Sequence, residues 1–171
     1  MTLDEVRALL QPDELDYPGT ARALGRDALP HLADLVAQGD PRVAPKAVAI
    51  AALVDATLAR PILVAATASG DPRIRIAAAG AARSAVSDLA DDVLDPLLDD
   101  PDPGVRRIAL RSATARLSPR LHDRLTRILA VESEPVHRRR IRAALDQADA
   151  AGGGGGPPAR DQRRRGWRRE R

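Results

Sequence analysis

The stretches GDPRVAPKAVAIAAL (residues 39–53), GDPRIRIAAAGAARS (70–84), PDPGVRRIALRSATA (101–115) and SEPVHRRRIRAALDQ (133–147) can be laid over one another without a gap. Pro41, Pro72, Pro103 and Pro135 recur at intervals of 31, 31 and 32 residues, and two residues after them stand Val43, Ile74, Val105 and His137. A period of this length marks a repeat architecture, in which each unit buries its apolar face only against its neighbours. The other half of the unit keeps the same beat. Leu32, Leu63, Leu94 and Leu125 lie 31 apart, as do Leu35, Ala66, Leu97 and Ile128. The one-residue insertion therefore falls in the loop around Glu132 and Ser133, where added length costs little.

Apolar residues within a unit recur at three- and four-residue spacing, Val105, Ile108, Ala109 and Ala113 being one such face, so each unit reads as a pair of helices. Asp40, Asp71 and Asp102 stand where an N-cap accepts backbone hydrogen bonds, and the following proline suits the first helical position, where its missing N–H is not needed. A helix start such as SGDPRIR (69–75) could in principle hold a phosphate. Asp71 would repel the anion, however, and the glycines and Lys-Ser/Thr pair of a phosphate loop are missing. Recurrence of Asp-Pro in successive units makes it punctuation between helices.

Composition agrees with closely packed small helices. Among 171 residues there is no Phe, no Cys, one Tyr (Tyr17) and one Trp (Trp167). A core of Ala, Leu, Val and Ile favours an all-α fold over a sandwich of aromatic and β-branched strands. Lys46 is the single lysine beside 26 arginines, a bias that reads as GC-rich coding. Without cysteine, disulfides, thiolate metal sites and cysteine nucleophiles are excluded. The acidic start MTLDEVRALL and an apolar run no longer than PILVAATA argue against a signal peptide or a membrane span, so a cytoplasmic protein is expected. Charge is unevenly spread. Residues 1–102 hold 9 basic and 17 acidic side chains, residues 103–151 hold 11 and 5, and residues 152–171 hold 7 and 2. Such asymmetry bears on partners and association rates.

The layout Asp-Pro-x-Val-Arg-x-x-Ala, carried by Asp71-Pro72-Arg73-Ile74-Arg75-Ile76-Ala77-Ala78 and by Asp102-Pro103-Gly104-Val105-Arg106-Arg107-Ile108-Ala109, resembles the HEAT repeat in the short bacterial form associated with phycobilisome lyases. The resemblance spans about residues 16–149. It implies a right-handed α-α superhelix of about four and a half helical pairs, with the Asp-Pro helices outside and the second helices lining a concave face. It also implies that Arg75, Arg106 and Arg138, at the repeat's standard arginine position, belong to ladders between repeats. Leu3 to Leu10 reads as a capping helix, and Pro96 is expected to kink or restart its helix. The solenoid is expected to fill residues 1–150, and residues 151–171 to form a Gly/Pro linker and a disordered Arg-rich tail.

Two charged surfaces follow from spacing. Asp88, Asp92, Asp95 and Asp99 align along one side of a second helix, and Arg120, Arg124 and Arg127 do so one repeat later. They can pair with each other as solvated faces, or form a polarised groove that selects a protein partner. The other surface is basic: Arg107, Arg111, Arg139 and Arg142, continuing into Arg163, Arg164, Arg165, Trp167, Arg168 and Arg169. It could contact phosphates of a nucleic acid or another polyanion, with Trp167 stacking on a base.

Little in the sequence supports catalysis. His31, His122 and His137 lack ligand spacing, the serines lie outside any nucleophile elbow, and SDLADDVLDPLLDD (87–100) lacks the ordered spacing of a calcium loop. No cofactor and no metal are expected. A glycosylase of the same architecture needs aromatic residues that residues 18–166 do not contain, and no residue set corresponds to bilin lyase activity. The expected function is a non-catalytic protein-interaction scaffold acting through the concave face. The alternatives are a polyanion-associated protein acting through its basic rear and tail, and an accessory subunit of an enzyme such as a lyase.

Overall fold

The computed structural model describes residues 1–115 and 117–152. Among them stand ten α-helices, two short 3₁₀ turns and no strand, so the chain is all-α. The helices are α1 (Leu3–Leu10), α2 (Tyr17–Leu24), α3 (Leu29–Gln38), α4 (Ala44–Asp55), α5 (Arg60–Thr67), α6 (Pro72–Ala81), α7 (Ser87–Leu97), α8 (Pro103–Ala113), α9 (Pro119–Val131) and α10 (Pro135–Gly152).

They stack in two layers. In the first, α2, α4, α6 and α8 pack in order, and in the second α1, α3, α5, α7 and α9 do the same, with α10 lying against α9. The four pairs between α1 and α10 form a helical solenoid. Its first layer is cemented by alanine: Ala44, Ala47, Ala51, Ala78, Ala79, Ala109 and Ala113 are buried, and such small side chains let helix axes approach closely. In the second layer the 31-residue beat becomes a column of buried leucines, Leu32, Leu63, Leu94 and Leu125.

Turn chemistry sets where α6 and α8 begin. Asp71 accepts from the Arg73 N–H at 2.9 Å, and Asp102 accepts from the Gly104 and Val105 N–H groups at 2.8 and 3.0 Å, with Pro72 and Pro103 opening their helices. At the front, Thr2 and Glu5 close a reciprocal box, the Glu5 N–H donating to Thr2 at 3.3 Å and the Thr2 N–H to Glu5 at 2.7 Å. Gly39 ends α3 in the left-handed region at φ 70°.

Two local expectations differ from the fold. Asp40 does accept from the Arg42 N–H at 2.8 Å, but α4 starts only at Ala44, because Pro45 has no N–H to give to the carbonyl of Pro41. Pro96 does not restart α7, which runs on to Leu97. So close to the helix end its missing N–H forfeits only the bond to the Asp92 carbonyl, and the Leu98 N–H still reaches Leu94 at 3.0 Å.

Candidate functional site

The second-layer face combines two unlike junctions. On α7 the helical period turns Leu89, Val93, Leu94 and Leu97 inward and leaves Asp92 and Asp95 part-exposed, with Asp88 and Asp99 exposed. On α9 it turns Leu121 and Leu125 inward and Arg120, Arg124 and Arg127 outward. Stacked side by side, the two stripes zip together. Arg120 reaches Asp92 at 3.3 Å and Asp95 at 2.8 Å, and Arg124 reaches Asp95 at 3.1 Å and pairs with Asp99. From the other side Arg60, the first residue of α5, pairs with Asp92, so one chain of alternating charge crosses three helices. Its members are part-exposed, so each pair is worth about 0–1 kcal/mol and is weakened by salt. Asp88 and Arg127 take no partner among the described residues, and Arg127 lines an open groove with Asp95, Pro96, Asp99 and Arg124. Beneath the lattice, buried Asp91 accepts from the Ser118 hydroxyl at 2.6 Å while Ser118 caps α9 through the Leu121 N–H at 3.1 Å.

The α3–α5 junction contrasts with this. No hydrogen bond or ion pair joins these two helices among the described residues. Between them opens a cleft of about 420 Å³ whose walls include Ala33, Val36, Ala37, Ile62, Ala65 and Ala66 and contain no charged residue. Further forward α1 and α3 are bridged again, the Arg7 guanidinium donating to Gln38 at 2.5 Å.

The corners between repeats hold a separate set of arginines. Arg75 donates to the Ser69 carbonyl at 2.8 Å, Arg106 to the Asp100 carbonyl at 2.6 Å and Arg138 to the Glu132 carbonyl at 2.6 Å, each six residues upstream. They satisfy carbonyls that the ended helix and its loop leave unpaired. Arg75 also grips buried Asp100 with two bonds of 2.7 and 2.9 Å. Those bonds, foremost, hold the Asp100 carboxyl below its ordinary range, helped by the Asp102 N–H. Lys46 serves α1 in the same way, donating to the Leu10 and Pro12 carbonyls at 3.1 and 2.6 Å.

Arg107 and Arg111 on α8, and Arg139 and Arg142 on α10, are exposed and take no partner among the described residues. Arg163, Arg164, Arg165, Trp167, Arg168 and Arg169 lie outside the described residues. The histidines are dispersed: His31 Nε2 lies 3.0 Å from the Met1 carbonyl, His122 Nε2 3.0 Å from Asp149 and His137 Nδ1 3.4 Å from Glu132. Among the described residues no group of three or more His, Asp or Glu could hold a metal ion, and no helix is long and apolar enough to cross a membrane. Spacing alone did not single out Arg60, the Asp91–Ser118 pair or the α3–α5 cleft. Arg60 left a signal, since it lies 32 residues before Asp92, one repeat and one residue away.

No known family profile matches the chain, and no curated protein does. Among solved structures, that of the complex of CpcE and CpcF of phycocyanin lyase from Nostoc sp. PCC7120 is similar at a TM-score of 0.60 and 20% identity, over 83% of this chain and 96% of that one. An engineered protein is similar at a TM-score of 0.49 and 19% identity, over 86% of this chain and 81% of that one. The first likeness establishes a shared helical-repeat fold.

Proposed function

We propose that this chain is a non-catalytic scaffold of the HEAT-repeat kind, which takes a protein partner on the face of its second helices. The observation that carries this reading is the α3–α5 cleft, an uncharged recess beside the ordered charge lattice of α5, α7 and α9. An apolar recess rimmed by polar groups in fixed positions suits recognition of a folded or helical partner. The lattice supplies register, because its charges are already paired and cost no reorganisation, while Asp88 and Arg127 remain open to a partner. The solved phycocyanin lyase structure is itself a complex of two proteins, which favours pairing with another subunit, including that of an enzyme. The test is affinity capture from the native cell with Asp88→Lys/Arg127→Glu and with Arg107→Glu/Arg111→Glu. Loss of the captured protein in the first variant and retention in the second is expected. The reverse pattern would sink the reading.

Arg107, Arg111, Arg139 and Arg142, exposed and without a partner among the described residues, favour a second reading, association with a polyanion. Its mark is affinity for duplex DNA that falls steeply with salt, roughly tenfold or more between 50 and 200 mM for several phosphate contacts. An affinity indifferent to salt would remove it.

A further inference from the structure

We infer that the α3–α5 cleft is the docking site of this chain's own C-terminal segment, with Trp167 seated among the alanines and the neighbouring arginines set against the acidic front. The cleft is open, about 420 Å³, and walled by small aliphatic side chains with no charge among them. Such walls leave room for a large flat ring, and an aromatic side chain in an apolar recess is the usual anchor of an interface. The chain owns two aromatic residues. Tyr17 packs against the core, which leaves Trp167.

Charge points the same way. Basic side chains near the cleft in sequence are already engaged, Arg42 with Asp13, Arg60 with Asp92 and Arg73 with Asp71. Among the described residues Asp34, beside Ala33, is exposed and takes no partner, and the Asp40 carboxylate, beside Gly39, accepts only the Arg42 backbone N–H. Arg163, Arg164, Arg165, Arg168 and Arg169 surround Trp167 in sequence and match these acids in sign.

Length permits the contact. The 3.0 Å approach of His122 to Asp149 sets the end of α10 beside the start of α9, and Arg60 and Arg120, which both meet Asp92, set the starts of α5 and α9 at one end of the molecule. From Gly152 to the cleft is then about three helix spacings, roughly 30 Å at 8–10 Å each. The segment 153–166 can extend to about 48 Å, and a Gly-rich chain of that length spans about 20 Å on average. The cleft is within reach, and a tether of this kind supplies an effective concentration on the order of 1 mM. At micromolar protein that favours the chain's own segment over a second copy's. On the proposed reading, which this consequence alone rests on, the segment and the partner compete for one face.

Trp167 is the single tryptophan, so its fluorescence reports the contact directly. In the full-length chain at low salt its emission should be blue-shifted relative to a peptide of residues 159–171, and unchanged over a hundredfold dilution. It should revert to the peptide's value in Ala37→Arg, which fills the exposed rim, and shift part of the way in Asp34→Lys; far-UV circular dichroism confirms that both variants are folded. Emission equal to the free peptide's overturns the proposal. So does a blue shift insensitive to both variants, which seats Trp167 elsewhere, and one that fades on dilution, which assigns the cleft to a second copy's tail. No partner enters the measurement, so its failure leaves the scaffold reading standing, and failed capture leaves the docking standing.

Discussion

The α3–α5 junction and the α7–α9 junction occupy equivalent places in the repeat and are built from opposite chemistry. The first is walled by Ala33, Val36, Ile62 and Ala66, the second bridged by Asp92 and Asp95 against Arg120 and Arg124. Both rest on the same buried leucine column, so the difference lies in the outer face and not in the core. Burial beneath the face provides stability, while part-exposed ion pairs provide register for little free energy. A repeat protein can therefore vary its outer face one junction at a time without losing its fold, and the unbridged junction is where a recess is left.

The largest effect should come from the shared column. Leu63→Ala, at a fully buried site, is expected to lower stability by about 3 kcal/mol in urea unfolding, and salt should leave that loss unchanged. A loss under about 1 kcal/mol would mean that the junction is already slack. Next, Arg75→Ala strips the partner from buried Asp100, and since the arginine retains some exposure a loss of about 2 kcal/mol is expected, below that of a fully buried pair. Third, the depressed carboxyl of Asp100 ties stability to pH. A carboxyl held below its unfolded value of about 3.9 contributes stability that is complete above that pH and is lost as pH falls through the lower, folded value. Unfolding midpoints should thus fall off below about pH 4, and Asp100→Asn, although less stable at neutral pH, should flatten that fall. The smallest effect belongs to the lattice. A double-mutant cycle between Arg120 and Asp95 should return at most about 1 kcal/mol, shrinking toward zero in 1 M salt. A salt-resistant coupling above that figure would erase the contrast between the two junctions.

Much of this was legible from spacing. The 31-residue recurrence of proline and leucine marked the units, and the caps at Asp71 and Asp102 follow from side-chain chemistry within two or three residues. The arginines after the Asp-Pro corner were legible as structural, though the carbonyls they seal lie six residues back and become visible only once the loop folds. The start of α4 was less legible, because Pro45 competes with Pro41 for the first turn. The stripes of α7 and α9 were visible as stripes, yet whether they face a partner or each other depends on which helices become neighbours. Arg60 enters the lattice only because α5 lies against α7.

By itself, then, the sequence determined the period, the helical content, the aspartates that cap α6 and α8 and the residues that face inward, since these follow from interactions spanning a turn or a single repeat. Tertiary structure decided which charges neutralise one another, that α3 and α5 leave a recess, and that Arg107, Arg111, Arg139 and Arg142 stay without a partner among the described residues. Those outcomes turn on distances between side chains a full repeat apart, which periodicity brings onto one face but only the stacking of the layers brings within reach.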